Sequence, residues 1–225
     1  MGHHSLTLGS LQCIYRAPLE KVEGPAPCLI LLHGYGSHEQ DLYSFERLLP
    51  KNAWVFSLRA PLDLAQGGHA WFSIDFEKPR QDWSRVDEAR KSLQHVHDAL
   101  LFLLRDWESP LQPPVLLGFS QGAILSCAFA LQYPEWISGA ALFSGYYWEE
   151  LTPEPHPEAK NCPVWASHGS QDVVIPLSWP EKTYEDLKNK EVPVDFHVYP
   201  SMGHGIDPEA FASFSLWLHR VLAST

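Results

Sequence analysis

From about residue 28 onward, short apolar runs alternate with longer segments of helical periodicity, and several of the runs are unbroken. Strand-like runs fall at residues 11–17, 28–32, 53–58, 115–117, 137–143, 164–167 and 194–199. A strand with one wet face alternates polar with apolar residues, whereas an unbroken run implies a strand covered on both faces. Helical spacing marks residues 40–49, 86–107, 123–133, 180–190 and 208–222. Strand–helix alternation of this kind predicts an α/β fold, a mostly parallel central sheet with helices on both faces. At 225 residues and 45% hydrophobic content the chain can bury one sizeable core, so residues 1–225 are expected to form a single domain.

The segment from Val86 keeps a three-four spacing through Ala89, Leu93, Val96, Leu100, Leu103 and Trp107. A coiled-coil dimer would use that stripe. Ser84 and Asp87 supply a capping box, and Phe102 with Leu104 widens the apolar face, so a core helix packed on the sheet is expected instead. The stretch ELTPEPHPEAK at 150–160 is proline-rich and polar and should be a loop.

One short stretch carries chemistry. LLGFSQGAIL, residues 116–125, places Ser120 between Gly118 and Gly122, after an apolar strand and before a helix. G-x-S-x-G in that setting forms a nucleophile elbow, a strained turn that lifts the serine hydroxyl into view. At ordinary frequencies the pentapeptide arises by chance about 0.07 times in a chain of this length, so an ordinary tight turn is the weaker reading. The helix N-terminus also favours the negative charge that develops during acyl transfer.

A serine nucleophile needs a base, and the base an orienting carboxylate, here in the chain order Ser, Asp or Glu, His. His204 lies in the glycine-containing loop PSMGHGID just past a strand, where open α/β sheets place their sites. His197 sits inside a strand and His219 on the solvated side of the last helix, so neither serves as well. For the acid, Asp172 stands in a turn beyond the strand at 164–167. Asp195 starts a strand and belongs to the opposite edge of the sheet, while Glu149, Glu150 and Glu154 should be solvated. The backbone N–H of Gln121 and one from the loop His33-Gly34-Tyr35-Gly36 would form an oxyanion hole. That loop is no dinucleotide fingerprint, because Glu39 stands where the third glycine would be. His33 is expected to be a structural hydrogen-bonding group.

The remaining composition narrows the setting. With 16 basic against 27 acidic residues the net charge is −11, which excludes a phosphate backbone as a partner. Cys13, Cys28, Cys127 and Cys162 show no C-x-x-C spacing, so neither a disulfide framework nor a zinc site is expected. His95 and His97 point in different directions on a helix, and His3-His4 is expected on a frayed terminus. No secretory signal pattern, myristoylation motif or apolar run of spanning length is visible, which together reads as a soluble cytoplasmic protein without integral membrane association.

Four motifs in order, LHGYGS, GFSQG, HGSQD and GHGI, resemble the phospholipase/carboxylesterase group of α/β-hydrolases, which includes the acyl-protein thioesterases. AWFSI (70–74) and LFSGY (142–146) are similar to further stretches of that group, and the resemblance covers most of residues 28–215. It implies an α/β-hydrolase fold, Ser120, Asp172 and His204 as a triad, and the N–H groups of Tyr35 and Gln121 as the oxyanion hole. The implied activity is hydrolysis of carboxylic esters or thioesters of short to medium acyl chains, on small-molecule or acyl-protein substrates. No metal or cofactor is implied, and a homodimer is allowed because some members form dimers. Ser73 stands where Asp is usual and Ala123 where a second Gly is usual, and a large lid domain is not expected. Trp71, Phe72, Tyr146, Tyr147 and Trp148 are candidates to line an acyl pocket, with core or rim packing the equal alternative for each. Fold and triad do not fix the substrate, so lysophospholipid, lactone or peptide hydrolysis stays open, as does a catalytically silent binding protein.

Overall fold

The unbroken apolar runs become the inner strands of one sheet. The computed structural model describes residues 4–75, 77 and 85–224. Its eight-stranded sheet is built from β1 (His4–Leu8), β2 (Leu11–Arg16), β3 (Cys28–Leu32), β4 (Trp54–Leu58), β7 (Val115–Phe119), β8 (Gly139–Phe143), β9 (Val164–Gly169) and β10 (Val194–Tyr199). A separate two-stranded ribbon pairs β5 (Leu62–Asp63) with β6 (His69–Ala70). The order across the large sheet is β1-β2-β4-β3-β7-β8-β9-β10. Strands β1, β2 and β4 are joined by antiparallel pairing, and every other pair is parallel.

Strand β3 shows why its run is continuous. Cys28, Ile30 and Leu32 face one helical layer and Leu29 and Leu31 the other, and all five are fully buried. Burying each Leu or Ile side chain contributes ~1.5–3 kcal/mol. The first layer holds α2 (Val86–Asp106), α3 (Gln121–Gln132) and the buried Leu187 of α4 (Ser178–Asn189); the second holds α1 (Gln40–Tyr43) and α5 (Pro208–Ala223). Helix α3 is buried at every position from Gln121 to Leu131, which is why its sequence carries no polar face.

Several expectations are corrected. Residues 40–49 form one turn of α-helix and a 3-10 turn at Glu46–Leu48, not one helix. The buried Arg16 guanidinium donates to the carbonyls of Glu46, Pro50 and Ala53 and pairs with the Glu46 carboxylate at 2.8 Å, and Pro50 bars continuation. The N-terminus is not frayed at His4, which begins β1 and sets its ring 5.3 Å from that of Tyr15; His3 lies outside the described residues. Helix α2 packs its stripe into the core as expected, but Phe102 is exposed and does not widen that face. Ser84 of the expected capping box also lies outside the described residues. The 150–160 stretch is irregular up to a 3-10 turn at Pro157–Asn161.

Candidate active site

The site is assembled at the C-terminal ends of β3, β7, β8, β9 and β10. Ser120 follows β7 with φ 52° and ψ −115°, a conformation that costs an L-residue ~1–3 kcal/mol. It is held there by its own N–H donating to Phe143 O (2.9 Å) and its carbonyl accepting from Ile124 N (3.0 Å). The flanking glycines have a steric cause. A Cβ on Gly118 would lie 2.2 Å from Gly122 O, and one on Gly122 would lie 1.8 Å from Leu32 O. Ser120 occupies the N-cap position of α3, yet its hydroxyl makes no capping bond. The Oγ lies instead 3.0 Å from His204 Nε2.

His204 Nδ1 in turn lies 2.7 Å from Asp172 Oδ2. The Asp172 side chain has no exposed surface, and its Oδ1 accepts from Val174 N and Ile175 N at 2.8 Å each. The loop carrying His204 is pinned on both sides. Ser144 Oγ donates to Gly205 O (3.2 Å), and Gln171 N donates to Met202 O (2.9 Å). Downstream, Asp207 caps α5 through Ala210 N (2.7 Å) with Pro208 at the first helical position. The structure therefore brings Ser120, His204 and Asp172 into one hydrogen-bonded line.

The rejected candidates lie elsewhere. Asp195 pairs in register with Trp165 near the start of β9 and contacts His197 (2.9 Å) and Arg220 (3.4 Å). His219, Glu149, Glu150 and Glu154 are exposed.

The loop after β3 passes directly beside the serine. A Cβ on Gly34 would lie 3.4 Å from Ser120 Cβ and 3.0 Å from the Phe119 ring. Tyr35, half-buried, follows it. His33 is fully buried, and burial pushes its pKa down to about 4, so the ring is neutral. Its Nε2 accepts from Ala60 N (3.1 Å), which leaves Nδ1–H to donate to Gly34 O (2.8 Å). Strand β6 braces the same loop through Gly36 N to His69 O (2.9 Å) and His69 N to Ser37 O (2.8 Å).

Gln121 has a second task that its position after the serine did not reveal. Its buried side chain accepts from Trp71 N (3.0 Å) and donates to Phe72 O (2.7 Å), while Trp71 Nε1 donates to His33 O (2.8 Å). Trp71 and Phe72 are consequently buried behind the 33–37 loop and offer no open surface as pocket walls. Tyr146 remains half-buried, edge-on to Trp179 at 4.9 Å, and Tyr147 is buried with its hydroxyl on Thr152 O (2.8 Å). Sequence reasoning also missed Ser144, whose signal was the Ser-Gly pair ending a buried strand. It adopts φ 51° and is fully buried. Among the described residues no group of His, Cys, Asp and Glu could hold a metal ion, and no helix is long and apolar enough to cross a membrane.

A mostly parallel sheet covered on both faces, with a serine elbow between β7 and α3, defines an α/β-hydrolase fold. The carboxylesterase from Mesorhizobium loti superposes with a TM-score of 0.81 at 18% identity, covering 96% of this chain and 98% of that one. Residues 19–222 match the family described as Phospholipase/Carboxylesterase, and the chain belongs to that family. It is 29% identical over 210 residues to a probable carboxylesterase of Oryza sativa subsp. japonica, covering 88% of this chain and 78% of the relative. It is 25% identical over 221 residues to acyl-protein thioesterase 1 of Mycosarcoma maydis, covering 88% of this chain and 92% of that protein.

Proposed function

We propose that the protein is a serine hydrolase that cleaves carboxylic esters or thioesters of short to medium acyl chains through an acyl-enzyme on Ser120. The observation that carries this reading is the line Ser120 Oγ–His204–Asp172, with links of 3.0 and 2.7 Å, set on a strained elbow. Asp172 accepts from His204 Nδ1–H and so holds Nε2 free to take the serine proton. As Oγ bonds to the acyl carbon, the proton passes to Nε2 and charge develops on the carbonyl oxygen. The N–H groups of Tyr35 and Gln121, with the N-terminus of α3 behind them, would stabilise that oxygen. His204 then gives its proton to the departing alkoxide or thiolate. Water repeats the sequence on the acyl-enzyme and releases the acid.

The reading takes residues 1–225 as one hydrolase domain that works in the cytoplasm without a cofactor, alone or as a homodimer, on small-molecule or acyl-protein substrates. The acidic charge of −11 and the buried, unpaired thiols of all four cysteines support that setting. The test is to quench turnover of 4-nitrophenyl butyrate and weigh the peptide that contains Ser120. A mass gain of one butyryl group is expected; turnover with no acylated serine would overturn the covalent route. Parallel rates on an acyl thioester and on esters of rising chain length fix the substrate range.

A further inference from the structure

His168 is a buried imidazole that the proposed chemistry leaves unused. It stands in β9 next to Gly169 and opposite Val198 of β10, with no exposed surface. Its Nε2 lies 2.9 Å from Ile175 O and 3.2 Å from Asp172 Oδ2. Both neighbours can only accept, so Nε2 must carry the proton; its hydrogen bond goes to Ile175 O, and Asp172 Oδ2 stands beside it as a charge contact. The opposite nitrogen, Nδ1, is buried with no hydrogen-bond partner. Protonating it would strand an N–H in the core beside the imidazolium that His204 becomes during reaction. The groups that act on the ring are Asp172 and His204, and burial holds its pKa below the ordinary imidazole value.

Asp172 therefore accepts three N–H groups, Val174 and Ile175 on Oδ1 and His204 on Oδ2, with the His168 Nε2–H a close neighbour of Oδ2 at 3.2 Å. The two backbone donors on Oδ1 and the ring donor on Oδ2 fix the plane of the carboxylate. We infer that His168 is a positioning residue for the acid: its Nε2–H, held on Ile175 O beside Oδ2, stabilises part of the Asp172 charge and so sets how much of it His204 meets. This rests on the triad reading above. A purely structural alternative would have His168 hold only the 173–175 turn through Ile175 O.

The two separate on the pH profile. Removing that neighbouring N–H leaves more negative charge facing His204, which favours the protonated imidazole and moves the acid limb of kcat/KM to higher pH. The comparison uses 4-nitrophenyl acetate with wild type, His168→Leu, His168→Asn and His168→Gln, each checked for folding by its thermal transition. Gln carries an amide nitrogen as many bonds from Cβ as Nε2 is, whereas Asn places its nitrogen one bond short.

In the Leu and Asn variants the limb is expected to rise by about half a unit and kcat to fall about tenfold, with KM within about twofold. His168→Gln should return the limb to its wild-type position. An unmoved limb in whichever of Leu or Asn folds, or a Gln variant displaced as far as Leu, overturns the inference. Covalent labelling of wild-type Ser120 by a fluorophosphonate is measured first. Its absence would sink the triad reading, whereas a labelled wild type with an unmoved limb sinks the role of His168 alone.

Discussion

Two walls meet at Ser120, and they are built by different means. On one side, Asp172 and His204, in loops after β9 and β10, and His168 near the end of β9 meet through side chains that ionise or carry ring protons. On the other, the 33–37 loop is held by neutral groups: the depressed His33 ring, the Gln121 amide, the Trp71 indole and two backbone bonds to His69. A wall that must change charge during reaction needs groups whose proton can move. A wall that only receives an oxyanion gains from donors that are rigid and stay neutral. Substitutions in the first should therefore cost rate with little stability, and substitutions in the second should cost both.

The sharpest contrast is at the serine itself. Ser120→Ala should reduce kcat about 10⁶-fold while leaving the thermal transition in place, checked by steady-state hydrolysis and circular dichroism. More than a few per cent of wild-type rate in a folded variant would break the comparison at its centre. Next, Asp172→Asn keeps the shape but invites the wrong His204 tautomer, and should cost about 10⁴ in kcat. Asp195→Asn, at the far edge beside Arg220, should cost less than about tenfold on the same ester. If Asp195→Asn is the more damaging, the charged wall is misplaced.

The neutral wall predicts a mixed signature. Gln121→Leu would strand Trp71 N–H and Phe72 C=O in the interior, a loss of ~2–4 kcal/mol in urea unfolding together with a 10- to 100-fold fall in kcat. A rate loss with unchanged stability would show that Gln121 acts through its backbone alone. The mildest effect is of pH on stability. His33 is held at about 4 when folded and titrates near ~6.5 when unfolded, so the unfolded chain takes up the proton first. Stability is then full above about pH 6.5 and falls as pH drops toward 4, by about 3 kcal/mol from this group. His168, also depressed, acts in the same direction. Glu39, held at about 2 chiefly by its bond to Arg59, loses its contribution only below about pH 4.5. Urea unfolding that is flat from pH 7 to 4.5 would contradict a neutral, buried His33.

Much of the charged wall could be read in advance because Ser120, Asp172 and His204 each follow a strand end with a local signature. Ser120 had its glycines, His204 its glycine-flanked loop, and Asp172 its turn beyond β9. The inner strands were equally plain, since coverage on both faces leaves continuous apolar runs. What stayed hidden depends on contacts between distant segments. The short β1 carries only a two-residue apolar alternation, Leu6 and Leu8, too brief to mark a strand, and it is defined by pairing with β2. Residues 40–49 have helical spacing, but Arg16 from β2 takes the carbonyls a longer helix would use. Trp71 and Phe72 look like pocket walls by composition and are core because Gln121, some fifty positions later, ties down their backbone. His168 and Ser144 act through partners whose proximity no spacing along the chain encodes.

The central claim is that Ser120 alone is made nucleophilic by this arrangement. The most direct measurement is to treat the folded protein with a fluorophosphonate, digest it, and locate the adduct by mass spectrometry. One equivalent on Ser120, lost in Ser120→Ala and strongly slowed in His204→Ala, is the result the two-wall account predicts. A folded protein that takes no label, or takes it on another residue with Ser120 untouched, would contradict it.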